Sequence, residues 1–106
     1  MSRFDIPVEL EQFYNDVVEI TNANVLLLVK KQKDYGSKNI SQSPGGPLNG
    51  LRVRMFDKLA RINNLVETGA TPENESLRDS FMDIANYATI ALMVLDGKWE
   101  GSEWKE

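Results

Sequence analysis

Three carboxylates recur at helical spacing in the last third of the chain: Glu75, Asp79 and Asp83. At about 100° per residue, they and Asn86 fall within roughly 80° of one another on one helix face. Carboxylates grouped in this way suit a hard cation such as Mg²⁺, which prefers oxygen ligands. They equally suit a solvated helix face, since acids are favourable near a helix N-terminus.

The same helix face becomes apolar further along the chain, at Ile90, Met93 and Val94. The opposite side carries a predicted core face of Leu77, Phe81, Ile84, Ala88, Leu92 and Leu95. The second half of this helix is therefore apolar on nearly all sides, which is typical of a buried helix. Because the face is buried at Ile90, we expect the acids two turns earlier to lie in a cleft.

The preceding helix carries a charged stripe that could complement these acids. Arg54, Asp57, Lys58 and Arg61 fall within roughly 100° of arc beside an apolar stripe. Two interpretations are open for this arrangement. The charges could form salt bridges between the helices, or they could form a pocket in which acids hold Mg²⁺ and bases hold phosphate.

A third group of polar residues, Lys31, Asp34 and Tyr35, precedes Gly36 at the predicted end of the first helix. Lysines and a following glycine suit a helix C-terminus, which accounts for much of this pattern. Tyr35, however, stands at the mouth of a polar loop, where an aromatic ring could stack on a nucleobase.

Apolar residues at helical spacing predict three helices that position these groups. The expected fold is all-α, a small three- to four-helix bundle in one domain over residues 1–106. The predicted helices span about 7–35, 48–68 and 73–96, with a loop at 36–50 and a polar tail at 97–106 that contains Trp99 and Trp104. Helices with more than one apolar face need extra partners, so we expect a homo-oligomer.

Composition excludes several classes of chemistry. The 106 residues contain no cysteine and no histidine, which rules out disulfides, thiolate metal sites and histidine general bases. The net charge of −4 argues against a general nucleic-acid binder. No signal peptide or membrane-spanning stretch is evident, so we expect a cytoplasmic protein without a membrane partner.

Three sequence blocks resemble the nucleotide modification associated domain 1 family of bacterial and phage proteins. The blocks are KQKDYG (31–36), RVRMFDKLARINNL (52–65) and ESLRDSFMDIANYATIALM (75–93), within a similarity that covers about residues 25–96. The matching positions are Lys31, Asp34, Tyr35, Gly36, Arg54, Asp57, Lys58, Arg61, Glu75, Ser76, Asp79, Asp83 and Tyr87. The resemblance implies a role in nucleotide metabolism, in a bacterial cytoplasm or, for a phage protein, in that of the host.

The third block also resembles, more distantly, the MazG-like all-α nucleoside triphosphate pyrophosphatases. That resemblance implies paired acids that bind Mg²⁺ and cleavage between the α and β phosphates, with Asp79 and Asp83 matching the second acid pair. The first pair of such enzymes, an ExxE motif on an earlier helix, is absent here. Asp57 on the second helix is the only substitute that the chain offers.

Our first hypothesis is a Mg²⁺-dependent nucleotide pyrophosphohydrolase that binds a nucleotide, such as a dNTP, between the second and third helices. Asp79 and Asp83 would be catalytic, and Asp57 and Glu75 would complete the metal site with them. The nucleotide-binding set would be Lys31, Asp34, Tyr35, Arg54, Lys58, Arg61, Asn86 and Tyr87.

Two alternatives remain open. The protein could bind a nucleotide without changing it, for example as a phage protein that sequesters a host nucleotide signal. It could instead be a purely structural helical oligomer held by charged bridges.

Overall fold

A computed structural model describes residues 5–101 of the chain. Within these residues, the 3₁₀ turn Val8–Leu10 leads into four α-helices: α1 (Glu11–Tyr35), α2 (Lys38–Ser41), α3 (Pro47–Thr68) and α4 (Leu77–Leu95). No strand occurs between residues 5 and 101, which confirms the all-α prediction. Over the same range, no helix is long and apolar enough to cross a membrane.

The pairing of α3 with α4 is the most extensive contact between helices, while α1 packs on α4 and α2 rests against α3. Contacts between Lys58 and Asp83 and between Arg61 and Ser80 run in opposite chain order, so α3 and α4 are antiparallel. Short connections between helices favour antiparallel neighbours of this kind. The predicted loop at 36–50 contains the one-turn helix α2, which is too short to show a helical period in the sequence.

Local signals place the helix ends. Pro47 occupies the first turn of α3, where its missing N–H costs nothing, and Gly69 ends that helix in the left-handed conformation with φ 66°. Helix α4 begins at Leu77, later than the predicted position 73. The reason is a capping box: the Ser76 hydroxyl accepts the Asp79 N–H at 3.0 Å, and the Asp79 carboxylate accepts the Ser76 N–H at 3.3 Å.

The apolar core is small and joins three helices to the segment after α4. Its buried members are Ile40, Leu51, Ile90, Val94 and Trp99. Trp99 is only 6% exposed, and its indole N–H donates to the Ser37 carbonyl oxygen at 3.1 Å. The predicted polar tail therefore supplies the largest side chain of the core, while Trp104 lies outside the described residues.

The buried face of α4 is not the predicted one. Phe81, Leu92 and Leu95 are exposed, and the residues that pack inward are Ser80, Asp83, Asn86, Ile90 and Val94. Asp83 and Ser80 can be buried because α1 and α3 supply cationic partners for them. Helical spacing alone predicts two apolar faces on α4 but cannot decide which of them packs against α3.

Replacing Trp99 by alanine tests the position of this side chain in the core. We expect the free energy of unfolding to fall by about 3 to 5 kcal/mol, the usual cost of deleting a large buried aromatic side chain. Phe56→Ala is the matched control, because Phe56 is an exposed aromatic of α3, and it should cost less than about 1 kcal/mol. Urea unfolding followed by circular dichroism measures both, and equal losses would contradict the core assignment.

Candidate functional site

A buried carboxylate connects the three long helices. Asp83 of α4 is 8% exposed, and its Oδ1 accepts a hydrogen bond from Lys31 Nζ of α1 at 2.9 Å. Its Oδ2 lies 3.0 Å from Lys58 Nζ of α3, which also donates to Glu75 Oε1 at 2.7 Å. We call these four residues, Lys31, Lys58, Glu75 and Asp83, the lysine–carboxylate network.

Arg61 and Ser80 hold the other side of Glu75. Fully buried Ser80 donates from Oγ to Glu75 Oε2 at 2.6 Å and accepts from Arg61 Nη1 at 2.9 Å. Arg61 Nη2 also donates to the backbone carbonyl oxygen of Glu75. Arg61 therefore fixes the segment that leads into α4, so its role in this structure is to position Glu75.

The ion pairs of the network favour the charged forms of Lys31, Lys58 and Glu75. The hydrogen bond from Lys58, supported by the one from Ser80, lowers the pKa of Glu75 to about 2. The hydrogen bond to Asp83 raises the pKa of Lys31 despite its partial burial. For Lys58, burial lowers the pKa, but hydrogen bonds to Glu75 and Asp83 outweigh burial and raise it. Glu75 and both lysines are therefore ionised at neutral pH.

A cavity of about 510 Å³ opens beside the network and is bounded by all four helices. We call it the four-helix cavity. At one end lie the charged side chains of the network, and at the other lie Ile40, Ile90 and Trp99 of the core cluster. Arg54 also lines the cavity and donates to the backbone of Asn39, next to Ile40. Tyr35 stands exposed at the rim, and Tyr87 lines the wall. A ligand with an anionic end and a flat aromatic end would match this distribution.

Asn86 lies in the wall of the four-helix cavity, one turn after Asp83. The residue is 7% exposed, and its Nδ2 has no hydrogen-bond partner among the described residues. Because buried amide groups are nearly always hydrogen-bonded, this donor stands out.

Arg54 ties the cavity wall to the short helix. Its Nη2 donates to the Asn39 carbonyl oxygen at 2.8 Å and its Nη1 to Ser43 Oγ at 3.3 Å. Gly50 allows this approach, because a Cβ atom there would collide with Ser43 and come within 2.9 Å of Arg54 Nη1. The predicted loop is thus anchored to α3 rather than free.

The structure brings most of the predicted site residues together. Those that line the four-helix cavity are Lys31, Tyr35, Arg54, Lys58, Glu75, Asp83, Asn86 and Tyr87. Arg61 is outside the cavity wall and donates to Ser80 and to the backbone carbonyl oxygen of Glu75. Sequence reasoning missed Ile40 and Trp99 as part of the wall, although two tryptophans in a polar tail were a signal that something packs there.

Three predicted acids lie elsewhere. Asp34 and Asp57 are exposed and outside the cavity wall. Asp79 is exposed, caps α4 and borders a second, more open depression, which Lys31, Glu75 and Asp83 of the network also line. Within residues 5–101, no group of three or more acids is arranged to hold a metal ion. The predicted metal set of Asp57, Glu75, Asp79 and Asp83 is therefore not gathered at one point.

Comparison with known proteins bears on the same residues. The family model described as nucleotide modification associated domain 1 matches residues 31–95, which confirms the resemblance inferred from the three sequence blocks. This span runs from Lys31 to the last residue of α4 and so includes the whole lysine–carboxylate network. No curated protein and no solved structure matches the chain. The MazG-like resemblance stays a prediction.

The lowered pKa of Glu75 predicts a specific pH dependence of stability. Because the folded-state pKa, about 2, is below the ordinary value of 4.5, the stabilisation is complete above pH 4.5 and is lost as pH falls towards 2. We expect Glu75→Gln to cost about 1 to 2 kcal/mol at pH 7, and the gap from wild type to shrink between pH 4.5 and 2. Thermal melts across this range measure the gap.

Glu67→Gln is the control for this series, because Glu67 is an exposed acid of α3. It should leave the melting temperature nearly unchanged at pH 7. A Glu75→Gln gap that stays constant from pH 7 to pH 2 would contradict the ion-pair account.

Proposed function

This chain belongs to the nucleotide modification associated domain 1 family, and we propose that it binds a nucleotide in the four-helix cavity. The phosphate would lie at Lys31 and Lys58, and the base would lie towards Tyr87 and Trp99. The single observation that carries the proposal is a pair of ammonium groups held at the cavity wall by one buried carboxylate, Asp83.

The two lysines have hydrogen-bonding capacity to spare. An ammonium group has three N–H donors. Lys31 donates one N–H to Asp83, while Lys58 uses two donors, one for Glu75 and one for Asp83. At least one donor on each lysine is therefore left for a ligand. Arg54 adds a third cation to the wall, so three cations face two carboxylates, and the excess favours an anion.

The remaining wall suits a nucleoside. Tyr35 at the rim, Tyr87 in the wall and Trp99 at the apolar end provide aromatic surfaces around the cavity. Base–aromatic stacking contributes about 1 to 3 kcal/mol per base and tolerates any base. The volume of about 510 Å³ lies in the range of small-molecule pockets.

The geometry favours binding over metal-dependent hydrolysis. Lys58 Nζ lies 2.7 Å from a Glu75 oxygen and 3.0 Å from an Asp83 oxygen, so ammonium groups occupy the positions that Mg²⁺ would need. A divalent cation placed there would be repelled by Lys31 and Lys58. The arrangement of these residues therefore does not fit the predicted Mg²⁺ site. Hydrolysis with Mg²⁺ stays a separate prediction.

Isothermal titration calorimetry with mononucleotides, triphosphates and cyclic nucleotides tests the proposal. We expect Lys31→Met to weaken the binding of any active nucleotide by about 10- to 100-fold, because a hydrogen bond to a charged group is lost. Lys58 still neutralises Asp83 in this variant, so the fold should survive. Lys33→Met is the matched control, since Lys33 is exposed on α1 and outside the cavity wall, and it should bind like wild type.

Two results would contradict the proposal. If no nucleotide binds, or if Lys31→Met and Lys33→Met bind equally well, the cavity is not a nucleotide site. Chromatography of the nucleotide recovered after incubation with Mg²⁺ or EDTA separates binding from turnover. Unaltered nucleotide agrees with a binding protein, whereas Mg²⁺-dependent release of pyrophosphate would support the hydrolase hypothesis instead.

We also propose that two copies associate through the N-terminal half of α1. That helix has no buried residue, and Phe13, Val17 and Ile20 are exposed. These residues and Asn24 follow the alternating four- and three-residue spacing of a coiled-coil seam. A polar Asn at one seam position is a known device for fixing the register of such a pair. A second copy would cover this seam with its own.

Sedimentation velocity tests the association. We expect wild-type protein to sediment as a dimer or larger species and Val17→Glu to shift it to the monomer, because a charge at the seam opposes its burial. Val66→Glu, at an exposed position of α3, is the control and should leave the oligomer intact. A monomeric wild type, or equal effects of the two substitutions, would contradict the proposal.

A further inference from the structure

We infer that Asn86 contacts the base of the bound nucleotide and donates a hydrogen bond to it. This inference rests on the proposed function, because it assigns a role within the same cavity. The amide is more than nine-tenths buried, lines the four-helix cavity and carries an Nδ2 without a partner among the described residues. An unsatisfied buried donor is unfavourable in the free protein, and a ligand acceptor would remove that cost.

The position of Asn86 along α4 indicates which part of a ligand it meets. Asp83, three residues earlier, joins the two lysines at the charged end of the cavity, and Ile90, four residues later, belongs to the apolar end. Residues spaced in this way share one face of a helix, so Asn86 lies between these ends. A ligand with its phosphate at the lysines therefore extends its base past Asn86 towards Trp99.

The chemistry of the amide selects the ligand atom. The phosphate oxygens are drawn to the ammonium groups by charge, which leaves the neutral amide for a neutral acceptor. A carbonyl oxygen or an unprotonated ring nitrogen on the edge of a base is such an acceptor. Stacking on the aromatic wall would bind any base, so the amide supplies the contact that depends on the edge of the base.

Comparing nucleotides with a ligand that lacks the base tests this assignment. The ligands are the four ribonucleoside 5′-monophosphates and ribose 5-phosphate, titrated calorimetrically into wild type and Asn86→Leu. We expect Asn86→Leu to bind the preferred monophosphate about three- to tenfold more weakly and to bind ribose 5-phosphate unchanged. Its melting temperature without ligand should equal or exceed that of wild type, because the unsatisfied donor is gone.

Two further variants complete the design. Asn86→Ala repeats the comparison with a smaller side chain in case leucine does not fit the wall. Asn63→Leu makes the same change at an exposed position of α3 and should leave all binding unchanged.

The outcomes separate this inference from the proposed function. If wild type binds none of the five ligands, the monophosphate site fails and the role of Asn86 fails with it. If nucleotides bind but the Asn86 variants weaken ribose 5-phosphate as much as the monophosphates, the proposed function stands and the base contact is overturned. The base contact is also overturned if the Asn86 variants bind every ligand as wild type does.

Discussion

The ion pairs of Asp83 are the interaction on which the rest of this structure depends. A buried carboxylate is strongly unfavourable unless it is paired and hydrogen-bonded, and Asp83 meets that requirement with one lysine from α1 and one from α3. The pairing fixes how three helices meet at one end of the bundle. It also holds two ammonium groups at the cavity wall and leaves at least one N–H donor on each of them without a hydrogen bond to the network.

The need to pair buried Asp83 with two lysines also explains why the apolar core is small and lies towards the other end of α4. The inward face of α4 is polar in its first half and apolar in its second, so ion pairs hold one end and packing around Trp99 holds the other. Between the two ends the helices leave the four-helix cavity. A cavity with one charged and one apolar end is thus a direct consequence of how α4 is patterned.

Much of this arrangement could be predicted from sequence, but not all of it. Capping residues and helical spacing locate the long helices, and the family blocks bring Lys31, Lys58 and Asp83 into one site. Spacing could not separate Asp79 from Asp83, because both fit the same stripe. The packing of α3 against α4 decides that Asp83 turns inward, whereas Asp79 caps the helix through its local capping box with Ser76. The sequence does not place Trp99, since its hydrogen bond goes to Ser37, 62 residues earlier in the chain.

The most direct test of the account is a crystal structure of the protein grown with a nucleotide that binds it. We expect a phosphate group within hydrogen-bond distance of Nζ of both Lys31 and Lys58, with both lysines still paired to Asp83. The base should lie in the four-helix cavity, towards Trp99. A nucleotide whose base lies outside the four-helix cavity, or whose phosphate is remote from both lysines, would contradict this mode of binding.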